Sequence, residues 1–444
     1  MMPQRPNVLI IHCHDLGQHL HCYGVKTVVT PNIDAFAAAG VRFVNSFCTA
    51  PQCSPSRASM FTGRYPHNTG VMGICLPGEA WDLHPEERHL GQFFQDMGYA
   101  TAAVGVIHET RSGAARCGLD EHLPVSRAAG ATDAAIQYLE RFARWPDCPF
   151  YLQVGFTEPH RLSPPNSDAD KGFLGGSLKP DTERGVQVPE YLQDTESARE
   201  EIAELQGAIR HVDVQFGRLL TALSDRGLQE NTLVIFTTDH GVGLPRAKCS
   251  LYDPGIEVAF ILRLPSRRGW HGGRIVVPMV SNIDYLPTLL SLLDLPVPDN
   301  VQGRSFAPIL DGHPYVERDA VFAELTYHRY YDPRRCVRTQ THKLILNFSI
   351  APFFMDPSQS WHPRTLTVTP PNPAHARHPP VELYDLREDP PELNNVADKP
   401  EYARVRQELL TRLRGHLEQT DDPILHGPVP SPMHGQAAEL LQAV

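Results

Sequence analysis

The stretch VLIIHCHD, Val8 to Asp15, is a continuous apolar run that ends abruptly in polar residues. Three later segments repeat this pattern: YATAAVG precedes His108, PFYLQVGF precedes His160, and TLVIFTT runs into Asp239 and His240. Such uninterrupted apolar runs predict strands that are covered on both faces, as in parallel sheets. Ligands of these sheets bind beyond the carboxyl ends of the strands. We therefore expect the four polar ends to meet at one site.

Helical patterns lie between these strand segments. Thr30, Pro31 and Gly40 frame the first predicted helix as its N-cap, its first residue and its stop signal. A longer helix is predicted from Glu200 onward, because apolar residues recur there at every third or fourth position. This alternation of strands and helices predicts an α/β fold. Near the end of the chain, VELYDL reads as a strand and residues 402–417 as a final amphipathic helix.

Length and composition indicate the domain organisation. The chain has 444 residues, of which 41% are hydrophobic and 20% charged, and these values are typical of globular proteins. At this length we expect two or three units, or one large α/β domain with a smaller unit. We place the large domain at residues 1–345 and an α+β subdomain at residues 346–444. The second unit begins with a long proline-rich loop, from about Ile350 to Pro380.

The net charge and the N-terminal sequence indicate which partners and which cellular location the protein has. The net charge of −11 argues against nucleic acid or an anionic membrane surface as a partner, because both favour a broad basic face. The opening residues, MMPQRPNVLII, contain an apolar run much shorter than a signal peptide or a membrane span requires. A cytoplasmic location is therefore expected.

The nine cysteines are odd in number and form no C-x-x-C pair, so a disulfide framework is not indicated. Most are expected to be buried small hydrophobic residues. A rival hypothesis gathers six residues near the first strand into a zinc cluster: His12, Cys13, His14, His19, His21 and Cys22. Side-chain alternation along a strand argues against it, because His12 and His14 would face away from Cys13 and Asp15.

The segment CSPSRASMFTGR frames one cysteine closely. Cys53, Pro55 and Arg57 match the C-x-P-x-R signature of the type I sulfatases, and residues 62–64 match the Thr-Gly-Arg that follows it in that family. The blocks PNVLIIHCHDLG, TPNIDAFAAAGVRFVNSF, TTDHG and LYDLREDPPELNNVA resemble further family segments, so the resemblance covers most of the chain. It implies an alkaline phosphatase-like α/β/α sandwich with a mixed, mostly parallel sheet and a smaller C-terminal α+β subdomain.

The resemblance also implies the chemistry of Cys53. In the family, a formylglycine-generating enzyme oxidises this cysteine to an aldehyde. The hydrated aldehyde attacks sulfur through one hydroxyl, and the other hydroxyl then collapses to the carbonyl and expels sulfate. Ser56 to Phe61 would open a helix whose free N–H groups face the anion, and Arg57 would hold the nucleophile or the metal shell. The alternative is a structural cysteine in front of a helix.

A divalent cation, most often calcium, is implied by the same resemblance. Asp15, Asp239 and His240 match family ligands, and the modified Cys53 would complete the shell. The first aspartate of the family is replaced here by His14. Oxygen ligands suit Ca²⁺, whereas imidazole suits Mn²⁺ or Zn²⁺, so both remain candidates beside calcium. His14 would either bind the metal or line the pocket.

Three further residues match family positions. His108 would take a proton as the sulfated intermediate collapses, His160 would protonate the leaving group, and Lys248 would bind the sulfate oxygens. Val106 replaces the family's lysine beside the first of these histidines. Arg111 is one candidate to replace that cation, and Arg64 is another. If neither arginine replaces the cation, we expect the enzyme to hydrolyse simple sulfate esters more slowly.

The segment CVRTQTHKLILNFS and the following PFFMDPSQSW resemble the N-sulfoglucosamine sulfohydrolase branch of the family. A basic run there would meet a sulfated saccharide or form a solvated face: Arg334, Arg335, Arg338, His342 and Lys343. We therefore predict a sulfatase that cleaves a sulfate ester or N-sulfo group of a small sulfated sugar. The alternatives are a phosphodiester or phosphonate monoester hydrolase on the same scaffold and a catalytically silent binding protein.

Overall fold

The computed structural model describes residues 5–76, 80–125, 127–163, 171–352 and 377–442. Within these ranges, no helix combines the length and the apolar character that a membrane span requires. The strands are β1 (Asn7–Cys13), β2 (Val41–Phe43), β3 (Ser46–Phe47), β4 (Ala100–Gly105), β5 (Glu121–Leu123), β6 (Phe150–Phe156), β7 (Thr232–Thr238), β8 (Phe260–Arg263), β9 (Arg274–Val276), β10 (Val280–Ser281), β11 (Ala320–Tyr327), β12 (Tyr331–Thr339), β13 (His342–Asn347) and β14 (Val381–Asp385).

The helices alternate with these strands through most of the chain. They are α1 (Pro31–Ala39), α2 (Cys53–Thr62), α3 (Pro66–Thr69), α4 (Leu90–Asp96), α5 (Ala128–Phe142), α6 (Glu196–Asp225), α7 (Asp253–Ile256), α8 (Tyr285–Leu292), α9 (Ala307–Asp311), α10 (Ala403–Gln419) and α11 (Pro432–Gln442).

One eight-stranded sheet forms the centre, in the order β5-β4-β6-β1-β7-β8-β2-β9. Its strands run parallel except β8, which is antiparallel to both β7 and β2. Along β1, Leu9 and Ile11 face one apolar layer with α1, α5 and α6, whereas Val8 and Ile10 face a second layer with α2, α4 and α8. The predicted α/β/α sandwich with a mixed, mostly parallel sheet is confirmed.

The smaller C-terminal sheet is antiparallel, in the order β11-β12-β13-β14. Helix α10 packs on it through Leu409, Leu413 and Leu417, which share a buried cluster with Val337 and Leu344. The predicted amphipathic helix over residues 402–417 thus corresponds to α10. It is not the final helix, however, because α11 follows it and has no buried residue.

The predicted division after residue 345 falls inside β13, and the antiparallel sheet already begins at Ala320. A boundary drawn by strand pairing therefore lies earlier, because β11 to β13 hydrogen-bond to one another and not to the large sheet. Most of the predicted proline-rich loop, including nearly all of PFFMDPSQSW, lies outside the described residues.

Both helices predicted early in the chain are present as α1 and α6. The expected N-cap of α1, Thr30, makes no capping hydrogen bond with its side chain. Asp213 of α6 performs that role instead, because its carboxylate accepts hydrogen bonds from the backbone N–H groups of Asn32 at 3.3 Å and Ile33 at 2.8 Å. A carboxylate at a helix N-terminus also favours the helix dipole.

Candidate active site

The polar ends of four neighbouring strands meet, as predicted. Strands β4, β6, β1 and β7 lie side by side, and the residues that follow them converge at their carboxyl edge. The His14 ring lies 6.1 Å from the ring of His108 and 5.6 Å from that of His160. Asp239, at the end of β7, lies 3.0 Å from the Nδ1 atom of His14 through its Oδ2 atom.

Cys53 is the first residue of α2, so the helix begins at the cysteine and not at Ser56 as predicted. Its Sγ atom lies 3.3 Å from the Nε2 atom of His240. His240 donates its Nδ1–H to the Gly241 carbonyl at 2.9 Å, which leaves Nε2 as an acceptor that faces the cysteine. Burial raises the pKa of the Cys53 thiol to about 12. As a thiol it would therefore be a poor nucleophile at neutral pH.

Four side chains form a group that could hold a metal ion. His14, Asp15, Cys53 and Asp239 are buried, and one possible ligand atom from each lies within 4.8 Å of the others. His240 borders the group, with Nε2 3.3 Å from the Oδ1 atom of Asp15. Its Nδ1–H bond to a backbone carbonyl is the arrangement that orients a metal-ligating histidine. All five predicted metal ligands thus lie together.

The alternation argument about the first loop was wrong for His14 and Asp15, which both reach this group. Strand β1 ends at Cys13, and Asp15 has a positive φ of 51°, so the strand's two-residue period no longer applies. The backbone N–H of Asp15 also donates to the Oδ1 atom of Asp239 at 3.1 Å. The rival zinc cluster is not among the metal-capable groups of the described residues.

Lys248 reaches the same carboxylate. Its Nζ atom donates to both oxygens of Asp15, at 3.0 and 2.9 Å, and both residues are buried. Burial alone would raise the pKa of Asp15, but the Lys248 ammonium holds it well below its usual range. Burial alone would lower the pKa of Lys248, but the carboxylate raises it above its usual range. The site therefore contains a permanent buried cation for an anionic ligand.

His160 and His108 differ in what their ring nitrogens can do. His160 donates Nδ1–H to the Arg161 carbonyl at 2.6 Å, so its Nε2 atom, 3.9 Å from Asp15, is open to a proton. Burial and then Lys248 lower the pKa of His160 to about 4. Burial and then Arg57 lower the pKa of His108 to about 3, and its Nε2 atom has no hydrogen-bond partner among the described residues.

Arg57 lies one helical turn after the cysteine and is fully buried. Its Nε and Nη2 atoms each lie 3.2 Å from the Oδ2 atom of Asp239. Its Nη1 atom lies 2.7 Å from the Nδ1 atom of His12. Sequence analysis considered His12 only as a member of the rival zinc cluster, because a histidine in a strand does not indicate which helix it will contact.

Two further residues, Glu109 and Ser56, hydrogen-bond to the backbone of the site, and these contacts were not predicted from the sequence. Glu109 accepts a hydrogen bond from the backbone N–H of His108 at 2.8 Å, and it also lies beside His89 and Gln153. Ser56 donates to the Asp239 carbonyl. These contacts fix the backbone that presents the site. A carboxylate directly after a strand-end histidine was the one available signal for Glu109.

The candidates to replace the cation lost at Val106 are engaged elsewhere. Arg64 pairs with Glu87 at 3.2 Å, and Arg111 lies 3.6 Å from Asp82. The basic run of the C-terminal sheet is also paired internally, so it is not the solvated or sugar-facing surface that was considered. Its ion pairs are Arg334 with Asp332, Arg335 with Asp422, Arg338 and Lys343 with Asp253, and His342 with Asp385.

Comparison with known proteins places this geometry in context. The model of the family described as Sulfatase matches residues 6–295, and the model described as N-sulphoglucosamine sulphohydrolase, C-terminal, matches residues 246–361. Human N-sulphoglucosamine sulphohydrolase is 28% identical, over 95% of this chain and 92% of that protein. The Delta 4,5-hexuronate-2-O-sulfatase of Bacteroides thetaiotaomicron is 25% identical, over 94% of this chain and 90% of that protein.

Solved structures show the same fold. One of them, a protein in complex with its substrate D-glucosamine-2-N,6-O-disulfate, superposes with a TM-score of 0.70 at 20% identity. The superposition covers 96% of this chain and 99% of that one. At this level of identity the likeness concerns the fold alone.

Proposed function

Because this chain belongs to the sulfatase family, we propose that it hydrolyses the sulfate ester or N-sulfo group of a small sulfated sugar, with formylglycine at position 53 as the nucleophile. The observation that carries the proposal is the position of Cys53 at the start of α2, within one buried set of cations, histidines and carboxylates. The human relative named N-sulphoglucosamine sulphohydrolase, which aligns over nearly the whole chain, supports the sugar and the N-sulfo group.

The donor set of the site fits a divalent cation. His14, Asp15, Asp239, His240 and the modified residue 53 would hold it, with Ca²⁺ as the first candidate and Mn²⁺ or Zn²⁺ as alternatives. When bound, the ion would act as a Lewis acid on a sulfate oxygen. The aldehyde, formed by a formylglycine-generating enzyme, would supply a nucleophile that the high pKa of the thiol denies to cysteine.

Lys248 and His160 would act directly on the substrate. The ammonium of Lys248 would bind sulfate oxygens and stabilise the charge that develops on them. The open Nε2 atom of His160 would carry the proton for the leaving group. A bound sulfate beside this ring raises its pKa from about 4, because a nearby anion favours the imidazolium form.

His108 would accept a proton, whereas His160 would donate one. Its ring is neutral at physiological pH, since its pKa is lowered to about 3, and its Nε2 atom has no partner among the described residues. It would accept a proton from the nucleophile side of the reaction, as a general base. Two histidines at neighbouring strand ends would thereby divide the acid and base roles.

The test combines mass spectrometry with turnover. We would express the chain with and without a formylglycine-generating enzyme and examine the tryptic peptide Phe43 to Arg57 for the aldehyde. We expect the aldehyde form to hydrolyse N- or O-sulfated glucosamine, and the Cys53→Ala variant to be inactive. An aldehyde-bearing protein that cleaves a phosphodiester or phosphonate monoester faster would favour the alternative hydrolase. The silent binding protein would be indicated by full modification without any turnover.

A further inference from the structure

His12 is the next-to-last residue of β1, and no part of its side chain reaches solvent. Its ring meets the edge of Phe61 on α2, with 5.9 Å between the ring centroids. Its Nδ1 atom lies 2.7 Å from the Nη1 atom of Arg57. The strand therefore contacts the catalytic helix through an imidazole at the residue one turn after Cys53.

The chemistry of this contact fixes the proton on the ring. A guanidinium carries only hydrogen-bond donors and stays charged in proteins, so Arg57 donates and the Nδ1 atom of His12 accepts. A nitrogen that accepts holds no proton, and the neutral ring then carries its proton on Nε2. In this tautomer the Nε2–H group has no hydrogen-bond partner among the described residues, so the contact with Arg57 is the one hydrogen bond of the ring there.

The contact also completes the positioning of the guanidinium. The other two contacts of Arg57, from Nε and Nη2, both end on a single oxygen of Asp239. Of these two, only the Nε contact is a hydrogen bond, since Nη2 has no hydrogen-bond partner among the described residues. The contact at Nη1 therefore gives the guanidinium its second fixed point. A Cβ atom added to Gly155 of β6 would lie 2.7 Å from the Cε1 atom of His12, so the neighbouring strand has space for the ring only because this residue is glycine.

We propose that His12, as the Nε2–H tautomer, is a positioning residue that fixes the Arg57 guanidinium against Asp239, one helical turn after Cys53. The catalytic part of this inference rests on the proposed sulfatase function. A fixed guanidinium would hold the reacting group of residue 53 in its productive orientation, and small displacements of such groups reduce turnover more than binding.

Two substitutions separate the acceptor from the packing. His12→Asn keeps an acceptor oxygen near the position of Nδ1, whereas His12→Phe keeps an aromatic ring against Phe61 and removes the acceptor. With proteins matched for aldehyde content by mass spectrometry, we expect His12→Phe to lower kcat on sulfated glucosamine by about 10- to 100-fold with little change in KM. His12→Asn should recover most of that loss. Equal activity in all three proteins, or an equal loss in both variants, would overturn the proposal.

A second measurement does not depend on turnover. In ¹⁵N-histidine-labelled protein, long-range nitrogen–proton correlation reports the tautomer of each ring, and the His12 signals are those missing from His12→Asn. We expect an unprotonated Nδ1 and a protonated Nε2. A protonated Nδ1 would overturn the proposal even in a fully active enzyme. If the wild-type protein cleaves no sulfated substrate, the proposed function fails, while this spectrum still tests the contact between His12 and Arg57.

Discussion

The Asp15 carboxylate has two kinds of contact. Both of its oxygens accept hydrogen bonds from Lys248, and Asp15 is also a member of the metal-capable group. Replacing Lys248 with Met removes the buried cation and keeps a similar volume. We expect kcat/KM for a sulfated sugar to fall by about 10²- to 10³-fold, the cost of losing one charge-stabilising donor.

The matched control for that variant is Lys26→Met, since Lys26 is exposed in a turn. It should retain the activity of the wild-type protein. Steady-state kinetics at equal aldehyde content make the comparison. A Lys248→Met protein as active as this control would remove Lys248 from the proposed mechanism.

His14 is the residue at which the proposed metal site departs from the family pattern. His14→Asp replaces an imidazole with an oxygen ligand, and oxygen ligands favour Ca²⁺. We expect the ratio of Ca²⁺ to Zn²⁺ affinity to rise on the order of tenfold or more. Titration calorimetry of metal-stripped protein measures both affinities without substrate. An unchanged ratio would show that His14 lines the pocket and does not bind the ion.

Sequence reasoning reached most of the site because strand ends in a parallel sheet converge by geometry. It placed His14 and Asp15 on opposite faces, since it extended the strand period past Cys13, and a positive φ at Asp15 is not visible in a residue name. It did not predict the contact of His12 with Arg57, because that contact joins a strand and a helix across 45 residues of sequence. Contacts of this kind arise only from the folded arrangement.

At the scale of elements, the N-terminus of α1 depends on another helix. Asp213 of α6 accepts hydrogen bonds from Asn32 and Ile33, and sequence alone favoured Thr30 as the cap because it immediately precedes Pro31. Rules based on local sequence cannot predict a capping residue that lies 180 positions away in the chain.

Replacing Asp213 with Ala would leave the backbone N–H groups of Asn32 and Ile33 without this acceptor. We expect the free energy of unfolding to fall by about 1–3 kcal/mol. Chemical denaturation measures it, and Asp225→Ala at the exposed end of the same helix is the control. A loss no larger than that of the control would mean that other groups or water satisfy the donors of α1.

At the scale of the whole molecule, a buried ion cluster connects the large domain to the C-terminal sheet. Lys343 of β13 pairs with Asp253 of α7 at 2.5 Å and with Glu392 at 2.9 Å, and Arg338 of β12 pairs with Asp253 at 3.0 Å. Helix α7, which begins at Asp253, starts only a few residues after Lys248. The two units are therefore joined a few residues along the chain from Lys248.

Lys343→Met would leave two buried carboxylates without their shared cation. We expect the free energy of unfolding to fall by about 3–5 kcal/mol, the usual cost of removing one partner of a buried ion pair. Lys399→Met, at an exposed position, is the control for the loss of a lysine. Urea unfolding followed by both fluorescence and circular dichroism measures the change. Equal stability of the two variants would show that the carboxylates take up protons or water at little cost.

All ten residues of α2 are buried, and Cys53 itself is only 2% exposed. An enzyme that oxidises this cysteine has to reach its Sγ atom, which the folded protein encloses. On the proposed function, the oxidation therefore has to occur while the chain is still being made or is not yet folded. A molecule that folds before Cys53 is oxidised would stay inactive for its whole lifetime. The active fraction of a preparation would therefore measure the rate of oxidation relative to the rate of folding.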